Sequence, residues 1–433
     1  MEPFISIILP TRDRPGLVKP VLQLLQQQTL ENFEVIVSDN AFEKSCEDMV
    51  FPFLADKRFK YKKSPGDMNM CAHWDFAIQG AKGKYVSIFS EKFLMRRDAF
   101  EILYEAACQT DADILTWQYD YIDNGEIIDG EVHGTYHPLM KPTPMKFYSP
   151  EAQLRRRFSC DFPVFSRFNK SQDGYGKIYS GCVKRSLVNS VEKTYGRVFW
   201  PQSPDFTSMC AFLNNASVCV DVGESLMLVL NMEGTSNGEA TRVSLVKSLQ
   251  YMGAYCKNID EYAQALPIPG CFFGHNNPIA GELRLIQRLA DKGPIKDLTL
   301  DLTALAFWVY QDMNHVTEWG TYKRDAFEQV LAPYLFPATE EKVRRREELE
   351  VNLARSIRPN PLEIYHSGLE KVDTFSPSWS AKALAEIHWV EGKAPPRKHL
   401  GEHVLSVQAI ESYFYSYNKY ARQFLGVNTG ILK

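Results

Sequence analysis

Several features that often reveal a protein's role are missing from this sequence. Its nine cysteines include no Cys-x-x-Cys pair, which argues against a zinc site or a disulfide framework and for reduced thiols in a cytosol. No apolar run reaches about 18 residues, so no membrane-spanning helix is predicted. The stretch after Met1 has no basic segment of the kind that opens a secretory signal. We expect a cytoplasmic chain, with peripheral contact at the inner face of a membrane left open.

The chain also lacks an excess of charge of one sign. Lysine and arginine number 49 against 53 aspartate and glutamate, a net charge of -4, so no basic field marks a nucleic-acid partner. There is no early glycine-rich phosphate loop followed by lysine, which speaks against a nucleotidyltransferase. What is present is a globular composition, 45% hydrophobic and 24% charged over 433 residues. That length suits two or three domains.

The opening stretch, Phe4 to Asn40, predicts a βαβ unit. The apolar run Ile5–Leu9 is typical of a strand buried on both faces, and residues 17–30 have the spacing of an amphipathic helix. A second apolar strand follows at Phe33–Val37. A right-handed crossover would make the two strands parallel neighbours in one sheet. Because strands and helices alternate to about residue 122, we predict an α/β class with a mostly parallel sheet.

Polar residues follow the strands at the edge where ligands of such sheets bind. They are Pro10, Thr11 and Arg12 after the first strand, Asp39 and Asn40 after the second, and Glu91 and Lys92 after a third strand at 84–89. An acidic group there accepts hydrogen bonds from a ribose hydroxyl or a base imide. The plainer alternative for Asp39 is an Asx-turn that closes the strand.

The remainder of the chain changes character twice. Residues 123–180 show few clear periods, which predicts a functional loop or a lid. From about residue 243 the spacing is helical almost throughout. We therefore predict two domains, residues 1–240 and a mainly α-helical region at 241–433. The second would shape an acceptor site, mediate self-association into a homo-oligomer, or dock on a membrane surface.

The opening sequence ISIILPTRDRPGLVKPVLQLLQQQTLENFEVIVSDN resembles the nucleotide-sugar-binding half of family 2 glycosyltransferases, the inverting GT-A type. The likeness continues in HWDFAIQGAKGKYVSIFSEKFLMRRDAFE and returns in SPDFTSM and GTSNG, so it covers roughly residues 3–240. It implies a GT-A (Rossmann-like) fold, a UDP- or dTDP-sugar donor, and inversion at the anomeric carbon. Pro10, Thr11 and Arg12 would line the nucleotide pocket, and Asp39 would meet the base or ribose.

One motif departs from the family. Its Asp-x-Asp metal motif should follow strand 84–89, but the aligned residues are Glu91, Lys92 and Phe93. Three alternatives stay open. Glu91 alone holds Mg²⁺ or Mn²⁺ together with phosphate oxygens, or Lys92 opposes the diphosphate charge in place of a metal ion. In the third alternative the chain is a GT-A module that binds a nucleotide sugar or scaffolds a partner without transfer.

The resemblance also directs attention to catalytic groups. An inverting transfer needs a carboxylate to take the acceptor proton, and Asp205 in SPDFTSM is our candidate, with a helix N-cap as the structural alternative. Side chains available to meet the leaving-group charge are Lys92, Arg96, Arg97 and the run Arg155, Arg156 and Arg157, for which a solvated face is the plainer role. Candidates for an aromatic acceptor platform are Tyr179, Trp200 and Phe206.

The sequence thus predicts a bacterial glycosyltransferase of polysaccharide biosynthesis. It would add one sugar to a hydroxyl of a glycan, a lipid-linked sugar or a protein. Two minor candidates are His73, leaning toward the donor, and a metal pair of His133 and His137 that would require the long loop to fold back.

Overall fold

The computed structural model describes residues 2–128, 131–137, 143–161, 174–179, 181–230, 241–335, 339–356 and 404–406. Its strands are β1 Ile5–Thr11, β2 Phe33–Asp39, β3 Phe59–Lys63, β4 Tyr85–Ile88, β5 Phe93–Met95, β6 Ile114–Ile128, β7 Glu131–His137, β8 Lys146–Tyr148, β9 Gly181–Lys184, β10 Cys219–Leu230 and β11 Val404–Ser406. They form one mixed sheet with the order β11-β7-β6-β9-β4-β1-β2-β3, to which β10 adds β5 and β8.

Helices flank the sheet and then make up most of the later chain. They are α1 Pro15–Gln26, α2 Glu47–Val50, α3 Met70–Ile78, α4 Ala99–Thr110, α5 Pro150–Ser159, α6 Arg185–Tyr195, α7 Pro204–Asn215, α8 Leu245–Gly253, α9 Ile259–Ala265, α10 Asn276–Leu289, α11 Leu302–Met313, α12 Arg324–Leu335 and α13 Glu340–Ser356. Short 3₁₀ turns lie at Phe51–Ala55 and Pro294–Asp297.

The predicted βαβ unit is confirmed. Strands β1 and β2 run parallel, with Ile5 opposite Phe33 and Thr11 opposite Asp39. All residues of both strands are buried, and their side chains alternate between two hydrophobic clusters, so Ile8 faces one and Ile7 the other. This is why both strands are continuous apolar runs. Since β4 pairs parallel to β1, the carboxyl ends of the three strands meet at one edge.

The prediction of an irregular segment at 123–180 is wrong in part. Strand β6 continues to Ile128 and pairs antiparallel with β7, and β8 and α5 follow. The sequences of this hairpin, YIDNGEII and EVHGTYH, mix polar and apolar residues, so neither has the apolar run that marked the earlier strands. Residues 162–173 and 180 lie outside the described residues.

The apolar runs at 218–222 and 226–231, which predict two strands from the sequence, form one strand, β10. Its register against β6 shifts between Asp221 and Ser225. Gly223 lies inside this shift with φ +74, a conformation that favours glycine. A bulge of this kind bends a strand without ending it, which explains why the sequence reads as two pieces. The GTSNG loop, Gly234 to Gly238, lies outside the described residues.

The helical character of the later region is confirmed as far as residue 356. Residues 245–266, whose spacing predicts one helix, form two, because Asn258 caps the start of α9 through its side-chain oxygen. Residues 357–403 and 407–433 lie outside the described residues.

The sheet and the later helices share a hydrophobic core. One cluster of buried residues includes Ile8 and Val86 from the sheet and Leu283 and Trp308 from the later helices. The indole nitrogen of Trp308 also donates to the carbonyl of Cys160, at 2.8 Å. Residues on the two sides of the predicted boundary at 240/241 therefore pack together in one core.

We predict that Leu283→Ala destabilises the protein by about 2–5 kcal/mol, because it removes fully buried methyl groups from this core. Leu289→Ala, at the exposed end of the same helix, is the matched control and should cost much less. Thermal unfolding should show one transition that moves down in Leu283→Ala. Two transitions, of which only one moves, would contradict a shared core.

Candidate active site

Asp39 ends β2 and organises the loop that follows. It is fully buried; its Oδ2 accepts hydrogen bonds from Ser45 Oγ at 2.7 Å, Cys46 N at 2.9 Å and Tyr61 OH at 3.0 Å. Its Oδ1 accepts from Ala41 N at 2.9 Å. Burial raises the pKa of this carboxyl, but the hydrogen bonds outweigh burial and leave the pKa lowered. Asp39 therefore closes the strand as an ionised Asx-type residue, and its contact with a nucleotide stays a prediction.

Asp13 anchors the same loop from the end of β1. Its Oδ1 accepts from the backbone N–H groups of Phe42, Glu43 and Lys44 at 2.9, 2.7 and 2.9 Å. Asp13 has φ 55, a left-handed conformation that aspartate tolerates better than most residues. Asp13 directly follows Thr11 and Arg12, which the sequence placed at this edge. The two aspartates together fix residues 41–46 beside the carboxyl edge of the sheet.

The other residues predicted for the nucleotide pocket lie around this edge. Thr11 is buried, and its hydroxyl has no hydrogen-bond partner among the described residues. Arg12 is half exposed and pairs with Asp67 at 2.8 Å. Asn40 joins the edge to the next loop, since its Nδ2 donates to the carbonyl of Met68 at 2.8 Å. Pro10 lies within β1, opposite Ser38.

His73 has a structural role in this arrangement. It is buried on α3, and its Nε2 lies 3.0 Å from the hydroxyl of Ser38 on β2. Burial lowers the pKa of His73 to about 4, so the ring is neutral at physiological pH. The residue thus supports the strand beneath the edge.

Glu91 lies at the same edge, after β4, and is paired with a cation of the protein. Its Oε1 accepts from Arg14 Nη1 at 2.9 Å, and its side chain is 7% exposed. The aligned position of a second metal-binding carboxylate is Phe93, whose buried ring packs 4.7 Å from that of Tyr179. Within the described ranges, no group of three or more His, Cys, Asp or Glu side chains is placed to hold a metal ion. The residues present do not fit the family's metal set, and Mg²⁺ or Mn²⁺ at Glu91 stays a prediction.

The cations proposed for the leaving group separate into different roles. Arg96 is 1% exposed and is held by Asp98 at 2.5 Å and Glu224 at 2.9 Å, so the prediction that it meets a ligand is wrong. Its buried ion pairs connect β5 to β10. Arg155 pairs with Glu151 on the exposed face of α5, as expected for a solvated helix.

Asp205 lies in the first turn of α7. The helix begins at Pro204, and its N-cap position is Ser203, so the alternative that Asp205 is the N-cap is wrong. Its side chain is 24% exposed, and Oδ2 lies 3.4 Å from Nζ of Lys177. Lys177 is 8% exposed and also lies over the ring of Phe206, at 4.1 Å from its centroid. Sequence reasoning missed Lys177 because it falls in the segment that showed no clear period.

Tyr179 lies within electrostatic reach of both Glu91 and Asp205. Its ring stacks on Trp74 at 5.4 Å, and its hydroxyl interacts with Ser90, beside Glu91. Burial raises the pKa of Tyr179 well above its ordinary value, and the charges of Glu91 and Asp205 raise it further. Residues 177–179 connect the Asp205 ion pair to the end of β4, since Lys177 pairs with Asp205 and Ile88 N donates to the carbonyl of Ile178 at 3.0 Å.

The three residues predicted to form an aromatic acceptor platform differ in how much surface they expose. Trp200 is partly exposed, and its indole nitrogen is buried with no hydrogen-bond partner among the described residues. Phe206 is 2% exposed and is covered by Lys177, so it offers little surface to a sugar. Tyr179 and Trp200 therefore remain the better-placed candidates for the acceptor side.

Two carboxylates hold the segment that leads into α7. Asp75 of α3 accepts from the Arg197 side chain and from the backbone N–H groups of Val198 and Phe199. Glu282 of α10 accepts from the backbone N–H groups of Gln202 and Ser203 at 2.6 and 2.8 Å. Glu282 could not be found from the sequence, since an isolated acid in an amphipathic helix looks like part of its solvated face.

This chain is similar to several known proteins. Residues 6–166 match the model of the family described as glycosyl transferase family 2. Glycosyltransferase GlyG of Streptococcus pneumoniae is 22% identical over 239 residues, 54% of this chain and 73% of that protein. Putative glycosyltransferase EpsH of Bacillus subtilis is 22% identical over 143 residues, 32% of this chain and 41% of that protein.

A structural likeness was also found. The crystal structure of S. aureus TarS 1-349 in complex with UDP-GlcNAc is similar with a TM-score of 0.49 and 12% identity, over 85% of this chain and 92% of that one.

Residues 6–166 therefore resemble a family 2 glycosyltransferase domain, and the chain is a transferase. Enzymes of this class transfer a sugar from a nucleotide-sugar donor, and this coarse activity is the one we assign. A search of the helices in the described ranges finds none with the length and apolarity needed to cross a membrane.

We predict that Asp39→Asn lowers the free energy of unfolding by about 1–3 kcal/mol near pH 7, because an amide NH₂ cannot accept the donors that face Oδ2. A carboxyl with a lowered folded-state pKa stabilises the fold above its unfolded-state pKa of about 3.9, and this stabilisation is lost as the pH falls through the folded-state value. The difference from wild type should therefore shrink toward pH 2.

Urea unfolding at several pH values measures this difference. Asp48→Asn, at an exposed position in α2, is the control and should change little. A constant deficit for Asp39→Asn at every pH would contradict an ionised Asp39.

Proposed function

We propose that the protein is an inverting glycosyltransferase that moves one sugar from a UDP- or dTDP-sugar to an acceptor hydroxyl. The observation that supports this most strongly is the ion pair of Asp205 with Lys177, whose neighbour Ile178 accepts a hydrogen bond from Ile88 N at the carboxyl end of β4. Parallel α/β sheets bind their ligands at that edge. A carboxylate facing a nucleotide-binding edge is the arrangement that an inverting transfer requires.

In this proposal Asp205 is the general base. Its carboxylate accepts the proton of the acceptor hydroxyl as that oxygen bonds to the anomeric carbon. The bond from the anomeric carbon to the diphosphate breaks on the opposite face, and the nucleoside diphosphate leaves with the electron pair. Lys177 holds one carboxylate oxygen at 3.4 Å, which orients the base.

The charge of the leaving diphosphate needs a positive partner. Arg14 lies at the edge through its bond to Glu91, and Lys92 follows Glu91 in sequence. We propose these two cations for the diphosphate, with Thr11, Arg12, Asp39 and Asn40 on the nucleotide side. Glu91 in this scheme orients Arg14.

The acceptor is a hydroxyl of a glycan, a lipid-linked sugar or a protein, with polysaccharide biosynthesis in a bacterial cytoplasm as the setting. Support for an acceptor role of the later helices comes from α10, whose Glu282 holds the turn before Asp205. Self-association and docking on a membrane surface are further roles we propose for residues 241–433.

A second function is favoured by one observation, the ion pair of Glu91 with Arg14. The family resemblance further implies that Phe93 stands where a metal-binding carboxylate is expected. A GT-A module with this edge would bind a nucleotide sugar, or scaffold a partner, without transferring the sugar.

We predict that Asp205→Asn lowers kcat by about 10²–10⁴-fold, because the amide cannot accept the acceptor proton. The KM for the donor should change little. Asp325→Asn is the control, since Asp325 is an exposed acid at the same position in the first turn of α12. Donor turnover measured with a panel of UDP- and dTDP-sugars tests this; full activity in Asp205→Asn would rule out the assigned base.

We predict that turnover persists in EDTA and is not raised by Mn²⁺, because protein cations meet the diphosphate charge in this proposal. Arg14→Ala should weaken binding of UDP or dTDP, measured by calorimetry, while Arg155→Ala on the exposed face of α5 should not. Loss of turnover in EDTA with recovery in Mn²⁺ would instead support a metal at Glu91. Nucleotide-sugar binding without turnover under every condition would support the binding module.

A further inference from the structure

Glu282 occupies an unusual place for a carboxylate. It lies in the middle of α10, is 5% exposed, and points its Oε1 at the backbone N–H groups of Gln202 and Ser203. Its Oε2 is buried and has no hydrogen-bond partner in the described part of the chain. A buried polar oxygen without a partner costs stability, so packing alone does not account for an acid here. A glutamine would satisfy both N–H groups as well.

The turn that Glu282 holds leads directly into the proposed base. Ser203 is the N-cap of α7, and Asp205 lies in the first turn of that helix. Tyr251 and Tyr262 of the later helices also hold this turn, through the carbonyl and side-chain oxygens of Gln202. The direction of the Asp205 side chain therefore depends on groups supplied by residues 241–356.

We propose that Glu282 is a positioning residue for the transfer reaction: it fixes the turn before α7 and so sets the direction in which Asp205 faces the acceptor hydroxyl. This inference rests on the proposed role of Asp205 as base. It assigns to α10 a specific task in the reaction.

The charge state of Glu282 is part of this task. Burial raises its pKa to about 8, the two backbone hydrogen bonds oppose that rise, and the charge of Asp205 adds to it. At neutral pH Glu282 is therefore mainly protonated, and Asp205 has no second negative charge beside it. Above pH 8 Glu282 ionises and places a like charge next to the base.

Other titratable groups around Glu282 do not obscure this change. They are Asp205 and Cys210 on α7, Cys71 on α3, Tyr251 and Tyr255 on α8, and Tyr262 on α9. Burial raises the pKa of each of these thiols and phenols to about 12 or above, so they stay neutral across the assay range. Of this set, Asp205 carries the charge that Glu282 would oppose.

Two substitutions separate the positioning role of Glu282 from the effect of its charge. Glu282→Gln keeps an acceptor for Gln202 and Ser203 but cannot ionise, so kcat at pH 7 should stay close to wild type. The fall in kcat/KM above pH 8 that we expect in wild type should be absent. Glu282→Ala leaves both N–H groups without their partner and should lower kcat by about 10–100-fold, since a small misplacement of a catalytic group has an effect of that size.

Asp312→Asn is the matched control. Asp312 is likewise buried, accepts from the backbone N–H groups of His275 and Asn276 at the start of α10, and has a pKa raised by burial to about 6. Its substitution should affect stability and leave the alkaline fall in place. An alkaline fall retained in Glu282→Gln, or wild-type kcat in a folded Glu282→Ala, would overturn the inference.

Hydrogen exchange provides a readout that needs no turnover. The amides of Gln202, Ser203 and the first turn of α7 should exchange faster in Glu282→Ala and at the wild-type rate in Glu282→Gln. Unchanged exchange in Glu282→Ala would overturn the positioning role even if the protein transfers sugar. Faster exchange in a protein without transfer would support the positioning role and contradict the proposed function alone.

Discussion

The site depends on two carboxylates that hold the segment before α7 in place. Asp75 holds residues 197–199 from the sheet side, and Glu282 holds residues 202–203 from the later helices. Backbone N–H groups that are buried need acceptors, and here the acceptors come from two distant parts of the chain. The position of Asp205 is thus a property of the whole described fold.

The carboxyl edge of the sheet follows the same rule, that buried polar groups need partners. Ionised Asp39 and Asp13 gather backbone N–H groups of residues 41–46, while Glu91 is compensated by Arg14. Each carboxylate close to the strand ends is therefore matched by donors or by a cation of the protein. In the proposed function, this matching leaves an edge that receives the anionic diphosphate of the donor.

A structural feature could be predicted from the sequence where a local residue pattern marks it, and was missed where it depends on tertiary contacts. Strands β1 and β2 were predictable because burial on both faces forces a continuous apolar run, and the resemblance to family 2 rests on those residues. The β6–β7 hairpin was missed because its polar residues hide the strand period. Lys177 and Glu282 were missed because their importance comes from tertiary contacts, 28 and 77 residues from Asp205 in sequence, that no local pattern records.

The most direct test of the central claim is a crystal structure with UDP or dTDP bound. The account predicts the base and ribose beside Thr11 and Asp39, the diphosphate against Arg14 and Lys92, and the Asp205 carboxylate facing the space where the sugar would follow. A nucleotide bound away from the carboxyl ends of β1, β2 and β4, or an Asp205 side chain turned from that space, would contradict it.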